Sequence, residues 1–396
     1  MKKTRYLSLL LTAVMLFALA ACSSNKPESS GSQTSAVSSD AAPATDKESS
    51  KDDQTEPPEP NSEYIQAMVA NMSLEEKVGQ MFLAAVPDEN AVETAKQYHL
   101  GGYILFGKDV ENKTKDELTS YITSIQNEQK IKMLVAADEE GGTVVRVSSN
   151  PNLAPSPFLS PKEYFKNGGM DAVIKAESDK ADLLLSLGIN TNLAPVCDIT
   201  KNPDSFMYDR SFADNKNDVC EFVTKTVETY KDKKIGSVLK HFPGYGDNAD
   251  THTGEAVDSR SYSELAANDF APFEAGIKAG ADAIMVSHNK IGAIDPNFPA
   301  SLSNKVHTVI KDDLDFKGVI MTDDLSMDAI SQNDFKENPA VLAVKAENDM
   351  ICCTDFADGY NAVIQAINNQ EIPIEQIDLS VTKILKWKQN LGILGF

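Results

Sequence analysis

Residues 318–323, Gly318-Val319-Ile320-Met321-Thr322-Asp323, run almost without a polar side chain and then end on an acid. A strand with one wet face alternates polar and apolar residues, whereas a strand covered on both faces by crossover helices is apolar throughout. Seven more such runs lie along the chain, at 82–86, 102–106, 133–138, 189–198, 237–241, 283–288 and 349–354, with helical segments between them. Ahead of them Tyr64, Ile65, Met68, Val69 and Met72 are spaced as one helical face. Ser73-Leu74-Glu75-Glu76 then has the form of a capping box opening a second helix. Eight βα units in about 335 residues predict an α/β fold, a (β/α)8 barrel of the TIM type with long loops. A doubly wound sheet is the alternative, disfavoured by eight candidate strands and the lack of a glycine-rich phosphate loop.

The polar residues fall at the ends of these runs. Asp138 and Glu139 close the third, Asp198 the fourth, Lys240 and His241 the fifth, Ser287 and His288 the sixth, and Asp323 and Asp324 the seventh. In a parallel barrel the C-terminal strand ends share one face, which carries the active site in this architecture. A single charged strand end is an ordinary solvated cap. Five of eight strands ending this way predict a convergent polar pocket.

The richest stretch is 240–252, Lys-His-Phe-Pro-Gly-Tyr-Gly-Asp-Asn-Ala-Asp-Thr-His. Pro243, Gly244 and Gly246 let the chain leave the strand sharply. Asp250 and His252 are two apart, so in an extended loop they point the same way. The carboxylate then accepts from one imidazole nitrogen and leaves the other for proton transfer.

The N-terminus reads as an export device. Lys2, Lys3 and Arg5 form a positive region, and residues 6–20 are apolar but short for a bilayer. Leu19-Ala20-Ala21-Cys22 resembles the bacterial lipobox, whose cysteine takes a diacylglyceryl group. Residues 1–21 are therefore read as a lipoprotein signal peptide, Cys22 as the lipidation site and 22–61 as a disordered linker. From Ser23 to Asn61 there is no aromatic residue and no Leu, Ile or Met to offset the entropy of ordering. Such a tether reaches on the order of 35 Å root-mean-square. Residues 62–396 form the catalytic barrel, expected as a monomer.

Composition bounds the partners. The net charge of −22 repels phosphate backbones, which speaks against nucleic acid. Of five cysteines, Cys22 belongs to the lipobox, while Cys197, Cys220, Cys352 and Cys353 follow no metal or disulfide spacing and read as buried small hydrophobes.

Five segments occur in order: Asp138-Glu139-Glu140-Gly141-Gly142 followed by Arg146; Ala194-Pro195-Val196-Cys197-Asp198; Asp209-Arg210-Ser211-Phe212; Lys240-His241-Phe242-Pro243-Gly244; and Met321-Thr322-Asp323-Asp324-Leu325. Together they resemble glycoside hydrolase family 3, and within it the bacterial β-N-acetylglucosaminidase (β-hexosaminidase) branch, over essentially all of residues 62–396. The resemblance implies that Asp323 attacks the anomeric carbon and that His252, oriented by Asp250, acts as acid and then base. It implies further that Asp138, Arg146, Arg210, Lys240, His241 and His288 hold the sugar hydroxyls and the N-acetyl arm, without cofactor or metal. Arginine and lysine beside Asp323 would keep it ionised, and Asp324, one residue on, should point away from it.

The expected activity is that of an exo-acting, retaining β-N-acetylhexosaminidase, lipid-anchored outside the cell membrane and releasing terminal β-linked GlcNAc from peptidoglycan fragments or related glycans. The alternatives are a family 3 β-glucosidase, a GlcNAc phosphorylase, a sugar-binding lipoprotein, or a metal-dependent barrel hydrolase using His241, His252, His288 and Asp323. Three features depart from the branch. Tyr245 stands where it usually has His, the loop 247–252 is one residue shorter, and no Leu-Pro follows it.

Overall fold

The protein is described here from a computed structural model, over residues 62–394. The signal peptide, Cys22 and the linker to residue 61 lie outside the described residues.

All eight expected strands are present: β1 (Phe82–Ala85), β2 (Gly102–Leu105), β3 (Leu134–Ala137), β4 (Thr191–Asn192), β5 (Gly236–Phe242), β6 (Ala283–Val286), β7 (Val319–Thr322) and β8 (Ile351–Cys353). They form one sheet in the order β7-β6-β5-β4-β3-β2-β1-β8, each neighbour parallel to the next. A parallel bridge between Met321 and Met350 brings the two edges together, so the sheet is a nearly closed barrel. Every residue of these strands is buried, which is why the runs carry no alternation.

The run 189–198 forms a ladder over only two residues, Thr191 and Asn192. The chain nevertheless continues along β5: Lys240 N donates to Pro195 O at 3.2 Å and Val196 bridges Lys240. Pro195 has no N–H to give, so regular pairing breaks there. Asp198 is still delivered to the mouth of the barrel.

The first helix spans Ser62–Ala70 and buries Ile65 and Val69. Two of the residues assigned to its buried face differ: Tyr64 is 42% exposed, and Met72 lies beyond the helix end. The capping box forms as expected, with Ser73 N donating to Glu76 Oε2 at 2.9 Å and Glu76 N to Ser73 Oγ at 3.2 Å. Such a cap stabilises a helix start by about 1 kcal/mol. Cys197, Cys352 and Cys353 are buried, but Cys220, on the helix Lys216–Lys233, is partly exposed. The consecutive Cys352 and Cys353 are both hidden because β8 has helices behind it and the barrel interior in front.

Lys388, on the helix Ile374–Asn390, is fully buried, and its ammonium donates to Gln80 Oε1 at 2.7 Å. Burial pulls its pKa down from 10.5 to about 7. Between those values the unfolded chain holds a proton that the folded one has released, so this group makes the fold more stable as pH rises through that window. Lys388→Met should abolish that slope. In denaturant titrations between about pH 7 and 9, wild type should gain up to about 1.4 kcal/mol per pH unit relative to the variant. Parallel curves for the two proteins would refute the assignment.

Candidate active site

The C-terminal strand ends converge on a cavity of about 350 Å³, lined by Asp138, Arg146, Arg210, Lys240, His241, His252, Asp323 and Asp324. Ile104, Leu193, Met285 and Cys352 supply apolar surface from the strands and their ends. The loop after β3 is shaped by two glycines. Gly141 and Gly142 have φ of 98° and 66°, and a Cβ on Gly141 would lie 2.3 Å from Leu159 O. Only glycine suits that turn, which folds Glu139–Gly141 onto Val144–Val145 and brings Arg146 over the mouth.

Lys240, on β5, has only 3% of its side chain exposed and pairs with Asp138 Oδ1 at 2.6 Å and Glu140 Oε1 at 2.7 Å. Arg210 grips the same Glu140 through two nitrogens, at 3.0 and 2.7 Å. Its NH2 also lies 3.2 Å from His241 Nε2. On the far side, the His241 backbone N–H donates to Asp198 Oδ2 at 3.0 Å, and Nδ1 lies 2.9 Å from that oxygen. A carboxylate can only accept, so Nδ1 carries the hydrogen and Nε2 receives from Arg210. Burial pushes the Glu140 carboxyl up, but the charges of Arg210 and Lys240 outweigh it and hold it well below the usual range. Burial likewise lowers Lys240, and Asp138 and Glu140 more than restore it. The mouth of the barrel is thus lined by fixed, alternating charges suited to hydroxyl and amide groups.

Glu140 was not among the expected site residues and Asp198 was expected only as a strand-end acid of the pocket, yet they hold Lys240, Arg210 and His241 in place. The signal for them was a pair of acids beside cations that burial would otherwise leave unpaired. Glu139, expected at the mouth, turns away from it. It is buried and accepts from Val147 N at 2.7 Å and from the Ser148 hydroxyl, bracing the segment that carries Arg146. Ser287 is also buried and does not reach the cavity.

Asp323 follows β7 and accepts from Asp324 N at 2.9 Å. Burial raises its pKa, but the polar groups around it, the donating Asp324 amide among them, hold it below the usual carboxylate value. Asp324 shares the cavity wall, but its carboxylate is committed elsewhere: Oδ1 accepts from Ser326 N at 2.9 Å and Thr354 N at 3.0 Å, and Oδ2 from the Thr354 hydroxyl at 2.5 Å.

The pair on the loop after β5 is formed. His252 Nδ1 lies 2.7 Å from Asp250 Oδ1, and the His252 backbone N–H donates to the same oxygen at 3.0 Å. Nε2 has no hydrogen-bond partner among the described residues, on a ring that lines the cavity and is 61% exposed. Asp250 itself stands behind His252, off the cavity wall.

His288 is a correction to the expected sugar contacts. It is fully buried behind the wall, with Nδ1 2.7 Å from Ser301 Oγ and Nε2 2.9 Å from the Asp324 carbonyl. The carbonyl takes the Nε2 hydrogen, and burial lowers the ring's pKa, so a neutral imidazole supports the Asp323-Asp324 turn. Both ring nitrogens of His241 and of His288 are occupied by protein partners, so neither is available as a metal ligand. Among the described residues no group of three or more His, Cys, Asp or Glu side chains is placed to hold a metal ion.

Residues 73–387 match the glycosyl hydrolase family 3 N-terminal domain. A β-hexosaminidase of Hydrogenovibrio crunogenus is 31% identical over 261 residues, 65% of this chain and 72% of that protein. The β-hexosaminidase LpqI of Mycobacterium tuberculosis is 28% identical over 331 residues, 81% of this chain and 84% of its own. The solved family 3 β-N-acetylglucosaminidase of Paenibacillus sp. FPU-7 superposes with a TM-score of 0.75 at 28% identity, covering 81% of this chain. This chain spans 63% of that longer protein. With the parallel barrel and the ordered motifs at its mouth, this match means that the chain belongs to glycosyl hydrolase family 3.

Proposed function

We propose that the protein is an exo-acting, retaining β-N-acetylhexosaminidase that removes terminal β-linked GlcNAc from peptidoglycan fragments or related glycans. One observation carries the reading: an ionised carboxylate, Asp323, and a carboxylate-oriented imidazole, His252, line the same small cavity. The cavity of about 350 Å³ is at the lower end for ligand sites, which suits one sugar unit rather than a length of polymer. The relatives' β-hexosaminidase names support the choice of sugar.

In the first step an Asp323 oxygen bonds to the anomeric carbon while the glycosidic C–O bond breaks. The leaving oxygen takes the proton from His252 Nε2, and Asp250 stabilises the imidazole at Nδ1. In the second step Nε2 removes a proton from water, whose oxygen attacks the anomeric carbon from the face the leaving group vacated and displaces Asp323 from the opposite one, giving the β-anomer. Asp138, Lys240, Arg210 and His241 orient the ring, with Arg146 over it. Asp323 stays anionic in the ground state, so it both faces the developing oxocarbenium charge and retains a free electron pair for bonding.

The test of substrate and acid/base role is one panel of chromogenic β-glycosides, run with and without phosphate. β-GlcNAc should be turned over fastest and without need of phosphate. Dominant β-glucoside turnover, or a strict phosphate requirement, would replace the reading by a β-glucosidase or a phosphorylase. Binding without turnover would make the protein a sugar receptor. Within the panel, His252→Ala should slow poor leaving groups by about 10²-fold or more and activated aryl glycosides far less. Asp250→Asn should do the same more mildly. Equal losses on all leaving groups would give the pair a binding role instead.

For the nucleophile, a fluorosugar that slows the second step should label the peptide 321–325, with the added mass on Asp323. Asp323→Ala should lose nearly all turnover. Asp324→Ala should keep more, because that carboxylate is bonded to Thr354 and Ser326. A label elsewhere, or an inverted product, would remove the covalent mechanism.

We further propose that the protein is held outside the cell membrane by lipid on Cys22. Among the described residues no helix is long and apolar enough to cross a membrane. Cys22→Ser should release the protein from the membrane fraction or leave it unprocessed, with turnover unchanged. Normal processing together with undiminished membrane association would rule lipidation out.

A further inference from the structure

The loop that carries Asp250 and His252 is tied at its ends, where Asp247 Oδ1 accepts from the Thr200 hydroxyl at 2.7 Å and Glu255 pairs with Lys290, and has little to hold it between them. From Asp247 to Glu255 every residue is exposed or partly exposed except Thr251, which lies between the two and is fully buried. Thr251 is held at both of its polar ends. Its Oγ1 is joined by a 2.5 Å hydrogen bond to the hydroxyl of Tyr245, and its carbonyl accepts from Ala329 N at 3.2 Å, six residues beyond Asp323. Tyr245 is also fully buried, and that bond is the only one its hydroxyl makes among the described residues.

Tyr245 is in turn anchored to the sugar-holding half of the site. Its backbone N–H donates to Asp198 Oδ1 at 2.7 Å, on the carboxylate that grips His241. Its ring meets the His241 ring edge-on at 5.2 Å and the Phe206 ring at 5.0 Å. Burial, with Asp323 close by, pushes the phenol well above its usual pKa, so the hydroxyl keeps its hydrogen throughout the working range.

We propose that Tyr245, acting through Thr251, is a positioning residue that fixes the acid/base pair at the cavity. Two residues in an exposed loop cannot hold a proton donor to the few tenths of an ångström that proton transfer demands. Their intervening residue, pinned from below, can. The side chains of Asp250 and His252 leave the backbone on either side of that pin, so the Tyr245 hydroxyl sets the height and tilt of the imidazole relative to His241 and Asp323. This deepens the function proposed above and rests on its assignment of His252 as acid/base.

The experiment measures kcat/KM for aryl and alkyl β-GlcNAc substrates over a range of leaving-group acidities, with thermal melting as a folding control. Tyr245→Phe removes one oxygen, and Thr251→Val keeps the volume of Thr251 but loses its hydroxyl. Each should slow the poorest leaving groups on the order of tenfold, a part of what proton transfer contributes. The most activated substrate should stay within about twofold of wild type, since it needs no proton. Thr251→Ser should keep the wild-type profile, and the double variant Tyr245→Phe/Thr251→Val should be no worse than either single one. A uniform loss across the series, or losses that multiply in the double variant, would overturn the proposal. If Tyr245→Phe fails to fold, the contrast between Thr251→Val and Thr251→Ser reads the same bond. His252→Ala, measured alongside, separates the two claims. A flat profile for it overturns the acid/base reading and this inference together; a steep one beside a flat Tyr245→Phe profile overturns only this inference.

Discussion

A lysine ammonium that is almost wholly buried cannot stay charged alone, and Lys240 is kept so by two carboxylates within 2.7 Å. Once it is in place, the surrounding chain has little freedom. Asp138 must stand directly after β3, Glu140 must follow two residues later, and Arg210 must reach Glu140 from a separate loop. Removing Glu140 would take from Arg210 its carboxylate partner and from Lys240 one of two, and breaking such a buried pair costs about 3–5 kcal/mol. The same charges that the barrel must neutralise line the cavity at its mouth, so the demands of folding and of the proposed function fall on one set of atoms.

Behind this network sits a second layer that fixes its backbone. Lys180, fully buried on the helix Pro161–Ser186, donates to the Glu140 carbonyl at 2.8 Å and pairs with Glu177 at 2.7 Å. Glu177 accepts from the Tyr230 hydroxyl at 2.7 Å, and that hydroxyl accepts from Asn192, which also holds the Glu139 backbone at both ends. Two outer helices are thereby tied to the loop after β3 through polar contacts as well as apolar packing. The result is a cavity wall in which Asp138, Glu140, Lys240, Arg210 and His241 are held by partners already in place, while the buried Nε of Arg146 has none among the described residues.

The acid/base side is built differently. His252 and Asp250 lie on a loop open to solvent, in contact with the rest of the site through Thr251. Such a division would suit the proposed chemistry, in which the sugar ring is gripped while the leaving group and the incoming water pass the imidazole. Tyr245 contacts both halves, through Asp198 and His241 on one side and Thr251 on the other.

The sequence by itself determined the barrel, because a strand buried on both faces must be apolar throughout, and eight such runs leave few other folds. It also determined which strand ends line the cavity, since Asp138, Lys240, His241 and Asp323 interrupt apolar runs where only a ligand or an ion pair offsets their burial. Asp250 and His252 were legible as a pair because their spacing is local. Contacts between distant loops were not. Glu140 and Glu139 are adjacent and chemically alike, yet one faces the cations and the other braces Ser148, because a strand sends successive side chains to opposite faces and only the packed barrel says which face is the mouth. His288 looked like a site residue from its strand end, and only the positions of Ser301 and the Asp324 carbonyl made it a prop. Tyr245 read as a departure from a pattern until the fold brought Thr251 within hydrogen-bonding distance, for a hydrogen bond's worth is set by where the chain returns, and that is a property of tertiary structure.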